Sequence, residues 1–154
     1  MPSFEKRHPV NHSAKNMFDL VADVECYPEF LPLCEGLTVK SKRQKGNKTL
    51  LVADMTVGYK AIRETFSSQV MLDPDAQQIN VKYINGPFKY LDNRWMFETS
   101  GEGSCTVVFF IDYEFKSKML GLLMGSMFET AFKRFTKAFE ERADEIYKKD
   151  DLVG

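Results

Sequence analysis

Residues 118–148 carry the strongest periodic signal in the chain and limit what everything before them can do. Apolar side chains recur there as Leu120, Met124, Phe128, Ala131, Phe132, Phe135, Phe139, Ala143 and Ile146, the three-and-four spacing of one helix face. At about 1.5 Å per residue the segment predicts a rod of roughly 45 Å, longer than a compact domain of this size is wide. The rest of the chain must therefore supply a surface that covers the stripe. The two halves of the helix differ in character. Residues 119–132 are apolar nearly all round, whereas Lys133, Arg134, Lys137, Glu140, Glu141, Arg142, Asp144 and Glu145 charge the outer face of the second half. That second half is expected to face water, and the first must be buried or meet something apolar. Gly121 and Gly125 form a GxxxG spacing, read here as permitting close packing on a sheet.

Upstream the pattern changes. Residues 4–10 read as a strand, and Ser13 is placed to cap a short helix with Met17, Leu20, Val21 and Val24 at helical spacing, ending near Glu25. In the following stretch, 26–34, Pro28 and Pro32 forbid a long helix and push Tyr27 and Leu31 toward extended geometry. It is too apolar for a solvated loop, so it is expected to pack on the domain or cover an opening. From Leu37 the period becomes 2, with strands expected at 37–42, 50–59, 61–72, 79–84, 88–99 and 106–115. Turns are marked by Gly46-Asn47, Asp73-Pro74-Asp75, Asn85-Gly86-Pro87 and Gly101-Glu102-Gly103; only the join near Gly58 lacks a turn signal. One strand, a helical pair, six strands and a long helix make an α+β domain spanning 1–154. Its curved antiparallel sheet of about seven strands wraps around the C-terminal helix, with two short helices after the first strand. Tyr83, Trp95, Phe97, Phe109 and Tyr113 from the sheet would then face Met124, Phe128, Phe132 and Phe135 from the helix. Such walls either interlock or enclose an apolar pocket.

Composition narrows the chemistry. With 154 residues, 44% of them hydrophobic, the chain can bury a core without disulfide or metal staples. A net charge of −1 gives no global case for wrapping nucleic acid. Cys26, Cys34 and Cys105 are odd in number and lack CxxC spacing, which reads as buried free thiols in a reducing compartment. The opening Met1-Pro2-Ser3-Phe4-Glu5-Lys6 shows no apolar signal segment, and no run approaches a membrane span. His8 and His12 lack metal-ligand spacing and read as unpaired surface histidines. Gly125-Ser126 sits inside a helix and is no nucleophile elbow. Glu64 and Asp112 lie in otherwise apolar strands, as a proton-handling pair, on a solvated outer face, or in an ion pair with Arg63 or Arg94. No metal site, cofactor or catalytic set is expected.

The order of elements, with DVECYPEFLPLC (23–34), NGPFKYLDNRWMF (85–97) and FFIDYEF (109–115), resembles the coenzyme Q-binding branch of the START-like, helix-grip polyketide cyclase/dehydrase superfamily. Residues 55–66, MTVGYKAIRETF, and 120–128, LGLLMGSMF, strengthen that likeness. The ribosome-association toxins are near relatives of this branch. The resemblance implies non-catalytic binding and transport of ubiquinone or a precursor in support of quinone biosynthesis and respiration. Partners would be a transient membrane surface and quinone-biosynthesis or respiratory proteins. It implies a cytoplasmic place peripheral to the inner membrane of a bacterium, or association with the mitochondrial inner membrane for an organellar chain. The alternatives are a toxin-like protein bound to ribosomal subunits and, more remotely, a cyclase or dehydrase acting on a hydrophobic ring.

Two surface elements complete the expectation. A gate is expected where Tyr27, Pro28, Phe30, Leu31 and Pro32 meet Leu122 and Leu123, two apolar segments without an obvious cover. A membrane patch is expected at Lys40, Lys42, Arg43, Lys45 and Lys48, which have no acidic residue between them.

Overall fold

Period-2 alternation and turn residues produce seven strands in the computed structural model, which describes Ser3 to Val153, with side chains through Tyr147. Met1 and Pro2 of the opening segment, and the side chain of Lys148, lie outside the described residues. The elements are β1 (Ser3–Val10), α1 (Ala14–Ala22), a 3-10 helix (Val24–Glu29), β2 (Cys34–Lys45), β3 (Lys48–Tyr59), β4 (Ile62–Asp73), β5 (Gln78–Asn85), β6 (Phe88–Gly101), β7 (Ser104–Phe115) and α2 (Lys118–Val153).

The strands form one antiparallel sheet in the order β1-β7-β6-β5-β4-β3-β2. Every neighbouring pair but one is a hairpin; the exception sets Phe4 of β1 opposite Ile111 of β7. This places β1 and β2 at opposite edges, so α1 and the 3-10 helix must cross from one edge to the other. They and α2 close the inner face of the sheet. On β7 the inward row Val107, Phe109, Ile111 and Tyr113 is buried, with Asp112 and Glu114 on the other face. Ser13 caps α1 as expected, its hydroxyl accepting from the Asn16 N–H at 3.1 Å.

Four local expectations are corrected. Tyr27 is not extended but lies in the 3-10 helix, where its carbonyl accepts from the N–H groups of Phe30 (3.2 Å) and Leu31 (2.9 Å). Its hydroxyl donates to the Val21 carbonyl, so tertiary anchoring overrides the preference set by Pro28. The turn after β3 falls at Lys60-Ala61, with Lys60 at φ +56°. Gly58 instead lies flat within β3 beneath the Glu35 carboxylate, which a Cβ would overlap at 2.1 Å. Ile146 leaves the stripe and is 39% exposed, because the buried row continues by fours through Phe139 and Ala143 to Tyr147. The GxxxG pair does not pack closely: a Cβ on Gly125 would meet nothing within 4 Å, and one on Gly121 only Phe115 at 3.9 Å.

Candidate functional site

Between sheet and α2 lies an apolar cavity of about 100 Å³. Alternate residues of six adjacent strands, β2 to β7, form its floor, among them Ala53 and Met55 of β3, Ser68 and Val70 of β4, Val81 of β5 and Trp95 of β6. Its roof is the helical row Phe128, Ala131, Phe132, Phe135 and Phe139. Of the expected lining, Trp95, Phe109, Phe128, Phe132 and Phe135 border the space, and Tyr83, Phe97, Tyr113 and Met124 do not. Phe97 lies beneath α1, edge-on to Phe18 at 5.9 Å. Tyr113 packs on Phe132 at 5.2 Å and, with the buried Met124, belongs to the solid end of the grip. Tyr83 leans on Phe88, whose N–H donates to its hydroxyl at 3.0 Å. Both alternatives left open by the aromatic pattern therefore occur: rings interlock where aromatic faces aromatic, and space remains where Ala53, Ser68, Val70, Val81 and Ala131 stand opposite them. A search for aromatics misses these small residues; the period-2 rows of β3 to β5 were the available signal.

The wall carries almost no polar chemistry. Asn93 is internally satisfied, donating to the Phe110 carbonyl at 2.9 Å and accepting from the Trp95 indole at 3.1 Å. The Ser68 side chain is 5% exposed and, among the described residues, makes no hydrogen bond. Burial pushes the Tyr27 phenol far up and the Cys34 thiol up to about 11, so neither ionises near neutrality. Cys26 is half-exposed rather than buried, and its hydrogen bond to Asp23 raises its thiol to about 11.

The histidines are also corrected, since both are paired. His8 Nε2 lies 2.9 Å from Glu140 Oε1, and His12, only 6% exposed, lies 2.7 Å from Asp144 Oδ1. Glu64 and Asp112 do not meet: they stand on β4 and β7, with β5 and β6 between them, and Arg63 and Arg94 pair instead with Glu35 and Asp92. Among the described residues no cluster of His, Cys, Asp and Glu could hold a metal ion. No helix of the described residues is long and apolar enough to cross a membrane.

The cavity approaches the surface at a seam beside the 3-10 helix. Pro32, Leu33 and Ala131 border both the interior space and an outer groove that includes Tyr59, Met127, Thr130 and Arg134. Leu33 holds φ +67°, a costly conformation for a bulky side chain, and its carbonyl accepts from the Gly58 N–H at 3.0 Å. The expected gate is thus only half assembled. Tyr27, Leu31 and Pro32 line the cavity, while Phe30 packs outside it on Phe139 at 5.1 Å, and Pro28 lies off the wall within the 3-10 helix. Leu122 and Leu123 border none of it and point to solvent, because the helix residues that share the outer groove with Pro32 and Leu33 begin at Ser126.

Residues 10–140 match the family described as polyketide cyclase / dehydrase and lipid transport. The chain belongs to that family. The ribosome association toxin RatA of Vibrio cholerae is 36% identical over 138 residues, 90% of this chain and 92% of the toxin. Coenzyme Q-binding protein COQ10 homolog B, mitochondrial, of Xenopus laevis is 30% identical over 144 residues, 91% of this chain and 57% of that protein. The solution structure of the 18 kDa protein CC1736 from Caulobacter crescentus agrees with a TM-score of 0.79 at 31% identity, over 96% of this chain and 99% of that one. The helix-grip resemblance read from the sequence therefore stands.

Within this family fold the basic hairpin is less uniform than its sequence. Neighbouring strands bring Asp54 to Lys40 and Asp73 to Lys48, each at 3.7 Å. A bulge between Val39 and Ser41 leaves Lys42 opposite Leu51 on the inward row, in a groove shared with Asp19, Asp23 and Glu25. The hairpin tip also lies at the opposite end of the sheet from the start of α2: β3 runs away from the tip toward Tyr59, and Tyr59 shares the outer groove with Met127 of α2.

Proposed function

We propose that this chain binds an isoprenoid lipid with an oxygenated ring, ubiquinone or a precursor, in the helix-grip cavity and carries it unchanged. The observation that carries this reading is a nearly wholly apolar cavity whose wall, among the described residues, holds one hydroxyl without a hydrogen bond, that of Ser68. Affinity would come from buried hydrocarbon at roughly 25 cal/mol per Å², with rings such as Trp95 and Phe132 flanking the head group. Ser68 would meet one ring oxygen. As closed, the cavity of about 100 Å³ is smaller than the roughly 150 Å³ apolar void that holds benzene, so loading requires the wall to yield. The seam at Leu33 is where it yields, and the tail leaves through the outer groove. Such cargo places the protein beside the inner membrane of a bacterium or mitochondrion, serving respiratory and quinone-biosynthetic proteins.

Organic extraction of the purified protein and mass spectrometry test the reading. A quinone or polyprenyl phenol should co-purify, and Ala53→Leu, which fills the floor, should abolish it while circular dichroism stays native. Ser68→Ala should weaken binding by about tenfold, one lost hydrogen bond. Failure to recover any isoprenoid from the native protein overturns the proposal. A second reading is favoured by the 36% identity to RatA: a toxin-like protein bound to ribosomal subunits. Co-sedimentation with subunits through sucrose, unaffected by Ala53→Leu, would establish it instead.

A further inference from the structure

At the start of α2 the Ser117 hydroxyl accepts from the N–H groups of Met119 (3.1 Å) and Leu120 (3.3 Å), fixing the direction of the first turn. Leu120 and Met124 turn inward as a result, leaving Met119 69%, Leu122 86% and Leu123 53% exposed on adjacent turns. Ile84, 53% exposed near the end of β5, borders a depression with Lys89 and Lys116 at the same end of the molecule. This is the largest collection of exposed apolar side chains among the described residues. Leaving such groups in water is unfavourable, and no other described residue covers them.

The charges around this tip have one sign left over. Lys89 pairs with Glu114 at 3.4 Å and Lys133 with Glu129 at 3.2 Å, whereas Lys116 and Lys118 are exposed and have no ion pair among the described residues. The helix N-terminus adds its own partial positive charge. We propose that this end of the molecule docks on an anionic lipid bilayer, with Met119, Leu122 and Leu123 entering the interface and Lys116 and Lys118 at the head groups. A second protein surface is the poorer fit. A standard interface takes about 800 Å² and some 20 to 30 residues from each partner, against four side chains on a protruding helix end here. A fluid interface needs no matching shape. The outer groove begins on α2 at Ser126, three residues beyond Leu123, so docking sets the near end of the groove about 4.5 Å, and the seam at Ala131 about 12 Å, along the helix from the inserted residues. The inference does not depend on what the cavity holds.

Flotation of the full chain with phosphatidylcholine vesicles, with and without a third of phosphatidylglycerol, is the test. The protein should float with the anionic vesicles and far less with the neutral ones. Leu122→Ser with Leu123→Ser, both at exposed positions, should cut binding by on the order of a hundredfold. Lys116→Gln and Lys118→Gln should each cost about fivefold on anionic vesicles and nothing on neutral ones. Lys42→Gln, Arg43→Gln and Lys45→Gln together, at the other end of the sheet, should change little. Tryptophan placed by Leu122→Trp should shift its emission to the blue on anionic vesicles. Absence of vesicle binding, or loss that follows the hairpin variant instead, overturns the proposal. So does a concentration-dependent dimer, or ribosomal co-sedimentation, that the serine pair abolishes while vesicle binding persists.

Discussion

Phe139 on α2 is wholly buried, its ring 5.4, 5.1 and 5.2 Å from those of Tyr27, Phe30 and Trp95, while Leu122, roughly 25 Å earlier on the same helix, is 86% exposed. The later half is tied down from three directions. His8 and His12 reach Glu140 and Asp144 from β1 and the loop after it, and the Arg142 guanidinium bonds Glu29 at 2.7 Å and lies 5.3 Å over the Phe30 ring. Tyr147 donates to the Asn16 carbonyl of α1 at 3.0 Å. The first two turns have inward contacts through Leu120 and Met124 and an outer face with no such ties among the described residues. Both halves are rich in apolar residues. Apolar patterning states what a helix is able to bury; whether it does so depends on elements folded elsewhere, and here α1 and the 3-10 helix cover only one half.

The sharpest break of this comparison is a pair of truncations. Phe139→Ala should cost about 3–5 kcal/mol, because it removes a ring at the junction of crossover, sheet and helix and leaves a void. Leu122→Ala should stay within about 0.5 kcal/mol. Urea midpoints at constant slope measure both, and equal losses would mean that the start of α2 is covered in solution. His12→Ala comes next at about 1–3 kcal/mol, since a buried partner of Asp144 is lost. His8→Ala should cost less, its site being half-exposed.

Those histidines mark where the sequence stops being legible. The long helix, the alternating strands and the Gly46 and Gly103 turns announce themselves because each is encoded locally, within a few neighbouring residues. His8 and Glu140, like His12 and Asp144, are 132 positions apart, and no local pattern links them. Lys60 adopts its left-handed turn without glycine or asparagine, held by the strands on either side. In the candidate site the aromatics were conspicuous and half misleading: Phe97 and Tyr113 interlock, and the free volume is set by small residues whose opposition only the sheet register creates.

Alkaline titration sharpens the comparison from the packed side. Burial raises the Cys105 thiol from an ordinary value near 9 up to about 11. Above pH 9 the unfolded thiol loses its proton while the folded one keeps it, so stability present below pH 9 declines as pH rises toward 11. For one thiol the loss at pH 10 is about 1.4 kcal/mol. Cys105→Ala should flatten that part of the profile, and Cys34, raised for the same reason, should leave a second decline of the same sign. A profile unchanged by Cys105→Ala would mean that this thiol is not held neutral by the fold.

The smallest expected effect is a gain. Gly121 and Gly125 lower the helix propensity of the free half, yet a Cβ at either position meets no atom closer than 3.9 Å. Gly121→Ala and Gly125→Ala should therefore each stabilise the protein by about 0.5–1 kcal/mol, through lost freedom in the unfolded chain and not through any new contact. Amide exchange separates this from a packing effect. Protection should rise over residues 119–126 and stay unchanged around Phe139, because the two halves share a helix but not a core. A loss of stability would show that the glycines admit a close neighbour after all, and with it a cover for the exposed face. If the gain appears and quinone exchange between vesicles slows with it, the looseness of the first turns serves loading. If exchange is unaffected, the seam at Leu33 yields on its own.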